Sequence, residues 1–209
     1  MQIRTAVLLF NAMIGLGLLV GPVVISVPVV AAQEQQAPPS PPLTSPQMPE
    51  VTPERQRLLD EVFRRERELG RSHPDVGVAL DALGMYDAEQ ARYAMATTSY
   101  IRAMKIFEEA GPSHERQLVV VLSNYGYALI LDQRPGPSIA LLERALEIQE
   151  RLTGPDHLQT AYSLNLLGLA YNDAGFGDKA EAVLLRALEI REGKLGPDHP
   201  DVGLSLIHI

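Results

Sequence analysis

From Glu54 onward the apolar residues fall on spacings of three and four. Leu58, Leu59, Val62 and Phe63 make a first stripe. Leu80, Leu83 and Gly84 share one face of the next segment, and Tyr100, Ala103, Met104 and Phe107 share one face of the segment after it. This is the ~3.6-residue period of a helix rather than the alternation of a strand. The pattern predicts helix pairs over 74–90 with 93–110, 115–133 with 137–152, and 158–174 with 178–194, led by a single helix over 54–69.

The pairs repeat every 42 residues: Gly84, Gly126 and Gly168 form one column, Leu80, Leu122 and Leu164 a second, Ala96, Ser138 and Ala180 a third. Ala103, Ala145 and Ala187, and Ile106, Ile148 and Ile190, complete the register. Helices packed ~8–10 Å apart need residues with little side chain where their backbones come closest, and the glycine and alanine columns supply them. Gly111-Pro112-Ser113-His114, Gly154-Pro155-Asp156-His157 and Gly196-Pro197-Asp198-His199 stop one pair and cap the next, and Gly70-Arg71-Ser72-His73 is a weaker version. Gln133-Arg134-Pro135-Gly136 and Gly175-Phe176-Gly177 are the expected turns within pairs. The helix over 54–69 reads as the second half of an incomplete leading repeat whose charges suit a terminal cap. The implied division is a partial repeat over 54–72, repeats over 73–113, 114–156 and 157–198, and a fourth begun at 199–209.

The N-terminal part of the chain is of another kind. Arg4 precedes an apolar run from Ala6 to Val30, and Val30-Ala31-Ala32 offers small residues for signal peptidase, so residues 1–32 read as an export signal cleaved after Ala32. The alternative is an uncleaved membrane anchor, since the run exceeds the ~20 residues that span a bilayer. Pro28 favours cleavage because it breaks a helix just ahead of the site. Either way the repeats are expected outside the cytoplasm, periplasmic or secreted, or tethered there. Residues 33–53, with seven prolines among Gln and Ser, read as an extended linker.

Composition narrows the chemistry. The chain has no Cys, which excludes disulfides, thiolate metal sites and cysteine nucleophiles. Its 18 basic and 26 acidic side chains give −8, or −9 without the signal and its single Arg4, which argues against nucleic acid as a partner. His73, His114, His157 and His199 recur at the junctions; a solenoid sets such residues about one repeat apart, so they read as helix-start caps and not as ligands of one metal. Glu108 with Glu109, and Glu189 with Glu192, read as solvated faces. There is no nucleophile elbow, phosphate loop or zinc-type His pair. The reading is therefore no enzyme, no cofactor, no metal and no evident small-molecule substrate.

Leu167-Gly168-Leu169-Ala170-Tyr171, Ala187-Leu188-Glu189-Ile190-Arg191-Glu192 and Leu195-Gly196-Pro197-Asp198-His199-Pro200 resemble the tetratricopeptide repeats, in the 42-residue variety of kinesin light chains and many bacterial proteins. The resemblance runs from Glu54 to about Leu206. It departs at Asp87, where the family usually has an aromatic, at the first inner turn, which lacks Gly, and at Pro135 and Pro137 in the second. It implies an all-α, right-handed superhelical solenoid of antiparallel hairpins. The first helix of each pair would line a concave groove that binds a peptide or protein. By register with the family that surface comprises Val78, Asp81, Met85 and Glu89, then Val120, Ser123, Asn124 and Tyr127, then Tyr162, Asn165, Leu169, Asn172 and Asp173. The amides of Asn124, Asn165 and Asn172 can both donate to and accept from a peptide backbone, and Tyr127 and Tyr162 can anchor a partner. The expected function is a protein-binding scaffold, exported. The alternative is the recognition arm of a larger enzyme, for example a protease or signalling protein, since the fourth repeat stops mid-helix at Ile209; residues 204–209 also depart from the repeat, and 207–209 resemble translated adaptor read-through.

Overall fold

The computed structural model describes residues 52–202. The expected export or anchor segment, the linker up to residue 51 and the terminal 203–209 lie outside the described residues. Those described form seven α-helices and one 3-10 turn: α1 (Pro53–Leu69), α2 (Pro74–Glu89), α3 (Tyr93–Ala110), the turn Pro112–His114, α4 (Glu115–Leu131), α5 (Pro135–Thr153), α6 (Leu158–Asp173) and α7 (Gly177–Leu195). None of them is long and apolar enough to cross a membrane.

The helices pair as α2 with α3, α4 with α5 and α6 with α7, and each second helix also packs on the first helix of the next pair. The first helices touch one another directly, α2 on α4 and α4 on α6. The result is an all-α solenoid of antiparallel hairpins, with α2, α4 and α6 side by side on one face.

The glycine column has the steric role its spacing implies. A Cβ built on Gly84 would lie 2.7 Å from Tyr100, one on Gly126 2.7 Å from Leu142 Cγ, and one on Gly168 2.5 Å from Leu184 Cγ. Each glycine thus receives the large buried side chain 16 residues ahead, on its hairpin partner. Ala103, Ala145 and Ala187 are wholly buried in the same seams. Ser138 substitutes for the small Ala96 and Ala180 because its hydroxyl donates to the Gly126 carbonyl at 2.8 Å.

The inner turns are alike in all three hairpins. Arg92 N–H bonds Asp87 O and Ala91 N–H bonds Ala88 O; Arg134 and Gln133 repeat this on Leu129 and Ile130, and Phe176 and Gly175 on Tyr171 and Asn172. These are Schellman motifs, which need one residue of positive φ. Gly175 takes that place at φ 79° in the third turn, but Ala91 (55°) and Gln133 (58°) take it in the first two. The second turn is shorter than the Gln133–Gly136 segment expected from sequence, with its helix from 137. In fact α5 begins at Pro135, since prolines fit a first helical turn whose N–H groups have no partner within the helix.

Three junction histidines cap helix starts as expected, Nδ1 of His73, His157 and His199 accepting from Asp75, Gln159 and Asp201 N–H at 3.1–3.2 Å, the last where a further helical turn begins at residue 200. His114 does not. The turn Pro112–His114 precedes α4, and the His114 ring stacks near Phe107 instead.

Candidate partner-binding groove

Because α2, α4 and α6 lie side by side, residues facing away from their hairpin partners share one surface. Two columns of that surface are apolar. Val78, Val120 and Tyr162 form one, and Met85, Tyr127 and Leu169 the other, each in 42-residue register. Val78, Met85, Val120, Tyr127 and Tyr162 are 43–56% exposed, while Leu169 is half-buried. Within one helix the two columns are seven residues apart, two turns or ~10 Å. Leu131 and Leu158 extend the apolar area at the ends of α4 and α6.

Between these rails runs a polar strip, and here the expectations for single residues divide. Asn124 does not present a free amide: its Nδ2 donates to both carboxylate oxygens of Asp81, at 3.0 and 3.1 Å, joining α4 to α2. The one-residue offset between Asn124 and the register of Asp81 is what lets the amide reach sideways to the neighbouring helix. Asn165 likewise accepts from Arg191 at 3.5 Å. Asn172 and Asp173 are exposed at the end of α6, and Glu89 is exposed at the end of α2. Ser123, expected on the same surface, is buried. Burial holds the Asp81 carboxyl above its ordinary range, and the Asn124 hydrogen bond only partly offsets this.

The first repeat departs from the others at Asp87, and the structure gives the reason. Asp87 is fully buried and accepts from Arg55 of α1 at Nε (2.7 Å) and Nη2 (3.0 Å), with Arg92 Nη1 3.8 Å away. The equivalent positions hold Leu129 and Tyr171, both buried. An aromatic or aliphatic contact between repeats is thus replaced by a bidentate ion pair where the leading helix docks. Thr52 adds a 2.6 Å hydrogen bond to the Tyr86 hydroxyl.

One set of periodic contacts was not anticipated. Arg102, Arg144 and Arg186 pair with Glu66, Glu108 and Glu150 at 2.5–2.7 Å, each reaching from a second helix to the second helix of the preceding hairpin. Arg102 and Arg186 also donate to the Arg71 and Pro155 carbonyls of the junctions. Glu108, read from sequence as simply solvated, is a rung of this ladder. Its signal was in the sequence, as an arginine column and a glutamate column in 42-residue register.

Residues 117–175 and residues 160–201 match tetratricopeptide-repeat families. The crystal structure of BtubC (BKLC) from P. vanneervenii is similar with a TM-score of 0.61 and 16% sequence identity, over 73% of this chain and 60% of that one. The chain therefore spans less than two thirds of that structure, and the likeness is one of fold. No curated protein matches the sequence. Over residues 117–201, then, the chain is similar to tetratricopeptide repeats, within an all-α solenoid.

Proposed function

We propose that the chain is a non-catalytic scaffold that seats a peptide or protein segment along the face formed by α2, α4 and α6. The observation that carries the reading is the pair of apolar columns, Val78/Val120/Tyr162 and Met85/Tyr127/Leu169, exposed at every position but the half-buried Leu169 and in the same register as the buried core. A buried column is explained by packing. An exposed one, repeated across three hairpins with two tyrosines in it, has the composition of a contact surface. Neighbouring first helices are ~8–10 Å apart, and an extended strand advances ~10 Å in three residues. A bound extended segment can therefore present a side chain to each hairpin in turn. Asp81, Asn124, Asn165, Asn172 and Asp173 lie between or beside the rails and are assigned to the same surface.

A random peptide library selected on the full chain tests this. Peptides that bind are expected to lose affinity on Tyr127→Ser and Tyr162→Ser, which are exposed and leave the core intact. They are expected to keep it on Ile101→Ser and Leu185→Ser, exposed apolar residues of the second helices. Equal effects of the two pairs would refute the assignment.

A further inference from the structure

The groove has a charge as well as a shape. Asp81 lies at mid-length of α2 between the rails, half-buried, and its hydrogen-bond partner is the neutral Asn124 amide. No Lys, Arg or His among the described residues forms an ion pair with it. Glu89, two turns on along the same face, is exposed and enters no ion pair among those residues either. The third carboxylate of this neighbourhood, Asp87, is already neutralised by Arg55 and Arg92. Together the three act on Tyr100, whose phenol is held far above its usual range by burial first and then by Asp81, Glu89 and Asp87.

The third hairpin adds Asp173 at the position equivalent to Glu89. Because α2, α4 and α6 run parallel, their C-terminal ends, each equivalent to about half a negative charge, lie along the same rim. Two cations of this rim face other carboxylates, Arg92 toward Asp87 at 3.8 Å and Arg134 toward Asp132 at 3.7 Å. Arg116 occupies the first turn of α4, at the opposite end, and Arg191 donates to Asn165 and lies close to Asp201. Asp81 and Glu89 are therefore carboxylates with no ion-pair partner among the described residues.

We propose that the partner is a cationic, apolar segment, and that one of its Lys or Arg side chains seats on Asp81 beside Asn124. This rests on the groove reading above. An incoming ammonium or guanidinium finds a carboxylate that is already partly desolvated and oriented, so little reorganisation is needed on binding. The aliphatic stem of a Lys or Arg lies along apolar surface while its charge reaches a polar group, which matches a carboxylate flanked by Val78 and Met85. Apolar residues three apart in the segment then meet Val120 and Tyr162, or Tyr127 and Leu169.

The test is a phage-displayed random dodecapeptide library selected on the full chain. Enriched sequences are expected to carry an excess of Lys and Arg and apolar residues at three-residue spacing. A synthetic peptide from that set is expected to lose about tenfold or more in affinity when its Lys becomes Glu, and to weaken as salt rises. Asp81→Asn with Glu89→Gln should abolish the preference for basic peptides. Glu147→Gln with Glu181→Gln, exposed on the second helices, should leave it unchanged and so controls for the general acidity of the chain. Enrichment of neutral or acidic sequences, or a basic preference indifferent to Asp81→Asn/Glu89→Gln, overturns the inference while leaving the groove in place. Failure to enrich any peptide, or enrichment indifferent to Tyr127→Ser and Tyr162→Ser, overturns the groove reading itself.

Discussion

Asp87→Ala is expected to release α1 without unfolding the hairpins behind it. Asp87 is fully buried, and the Arg55 side chain that binds it is 15% exposed, so each depends on the other for its charge. Removing one member of a buried pair costs ~3–5 kcal/mol, because the survivor is left uncompensated. Arg55 stands in the first turn of α1 and is itself partly exposed, and Arg92 is a second, longer contact, so the lower end, about 3 kcal/mol, applies here. The loss falls mainly on α1, whose helical neighbour is α2 and whose other ties are Thr52 to Tyr86, Arg65 to the Asp75 carbonyl and Glu66 to Arg102. Hydrogen exchange read by mass spectrometry over residues 53–69 should accelerate by about 100-fold, at ~1.4 kcal/mol per decade, while residues 158–195 exchange as before. Arg55→Met with Asp87→Leu places at this seam an apolar contact like that of Leu129 and should recover most of the loss, since apolar replacement of a buried pair is often neutral. The reasoning fails if Asp87→Ala leaves α1 exchange unchanged, or if the double variant exchanges as fast as the single one.

Other consequences follow from particular contacts. Gln133→Gly should stabilise the chain by about 0.5–1 kcal/mol, because an L-residue in the left-handed region costs ~1–2 kcal/mol and glycine's extra chain entropy returns part of the gain; Gly175→Ala should do the reverse, and urea midpoints report both. Gly168→Ala should destabilise by up to about 2 kcal/mol, the ~1–3 kcal/mol of overpacking against Leu184 less the ~1 kcal/mol of helix propensity that alanine gains. Breaking a single rung of the outer ladder with Arg144→Ala should cost under about 1 kcal/mol, since both partners are more than a third exposed. Asp81→Asn should raise thermal stability at neutral pH. The folded pKa of Asp81 lies above its unfolded value, so the native state holds more protons in that window and stability falls as pH rises through it. The advantage of the variant should accordingly vanish below the ordinary carboxylate range, and a pH-independent advantage would refute this account.

The parts of this fold legible in the sequence are those where one position has one steric solution. Glycine at 84, 126 and 168 faces a large side chain 16 residues ahead in every hairpin, and no other residue fits without movement, so the column appears whatever else varies. The apolar rails at Val78/Val120/Tyr162 and Met85/Tyr127/Leu169 were reached another way, through register with the resembled repeats, which implies that the first helix of each pair lines the groove. Contacts between different side chains were harder to read. Arg55 and Asp87 lie 32 residues apart on different helices, and nothing in a 3.6-residue or 42-residue pattern pairs them. The same holds for Asn124, whose offset of one residue marked it as irregular but did not say that it turns to Asp81. The inner turns show the converse, since the Schellman hydrogen bonds force positive φ at Ala91 and Gln133 although neither residue advertises it.

Asp81 joins the two kinds of evidence. A carboxylate held half-buried between α2 and α4, raised in pKa by desolvation and given only an amide for company, weakens the fold at neutral pH relative to a neutral isostere. Elsewhere in the same chain a buried carboxylate is treated differently: Asp87, a turn and a half further along α2, is clasped by a guanidinium supplied from α1. The fold is thus able to neutralise a carboxylate in this region and does so at the seam where α1 must dock. At Asp81 it leaves the charge open toward the groove, and that difference in treatment is what a cationic partner would fill. If Asp81→Asn gains stability and loses preference for basic peptides together, the two measurements have a single cause.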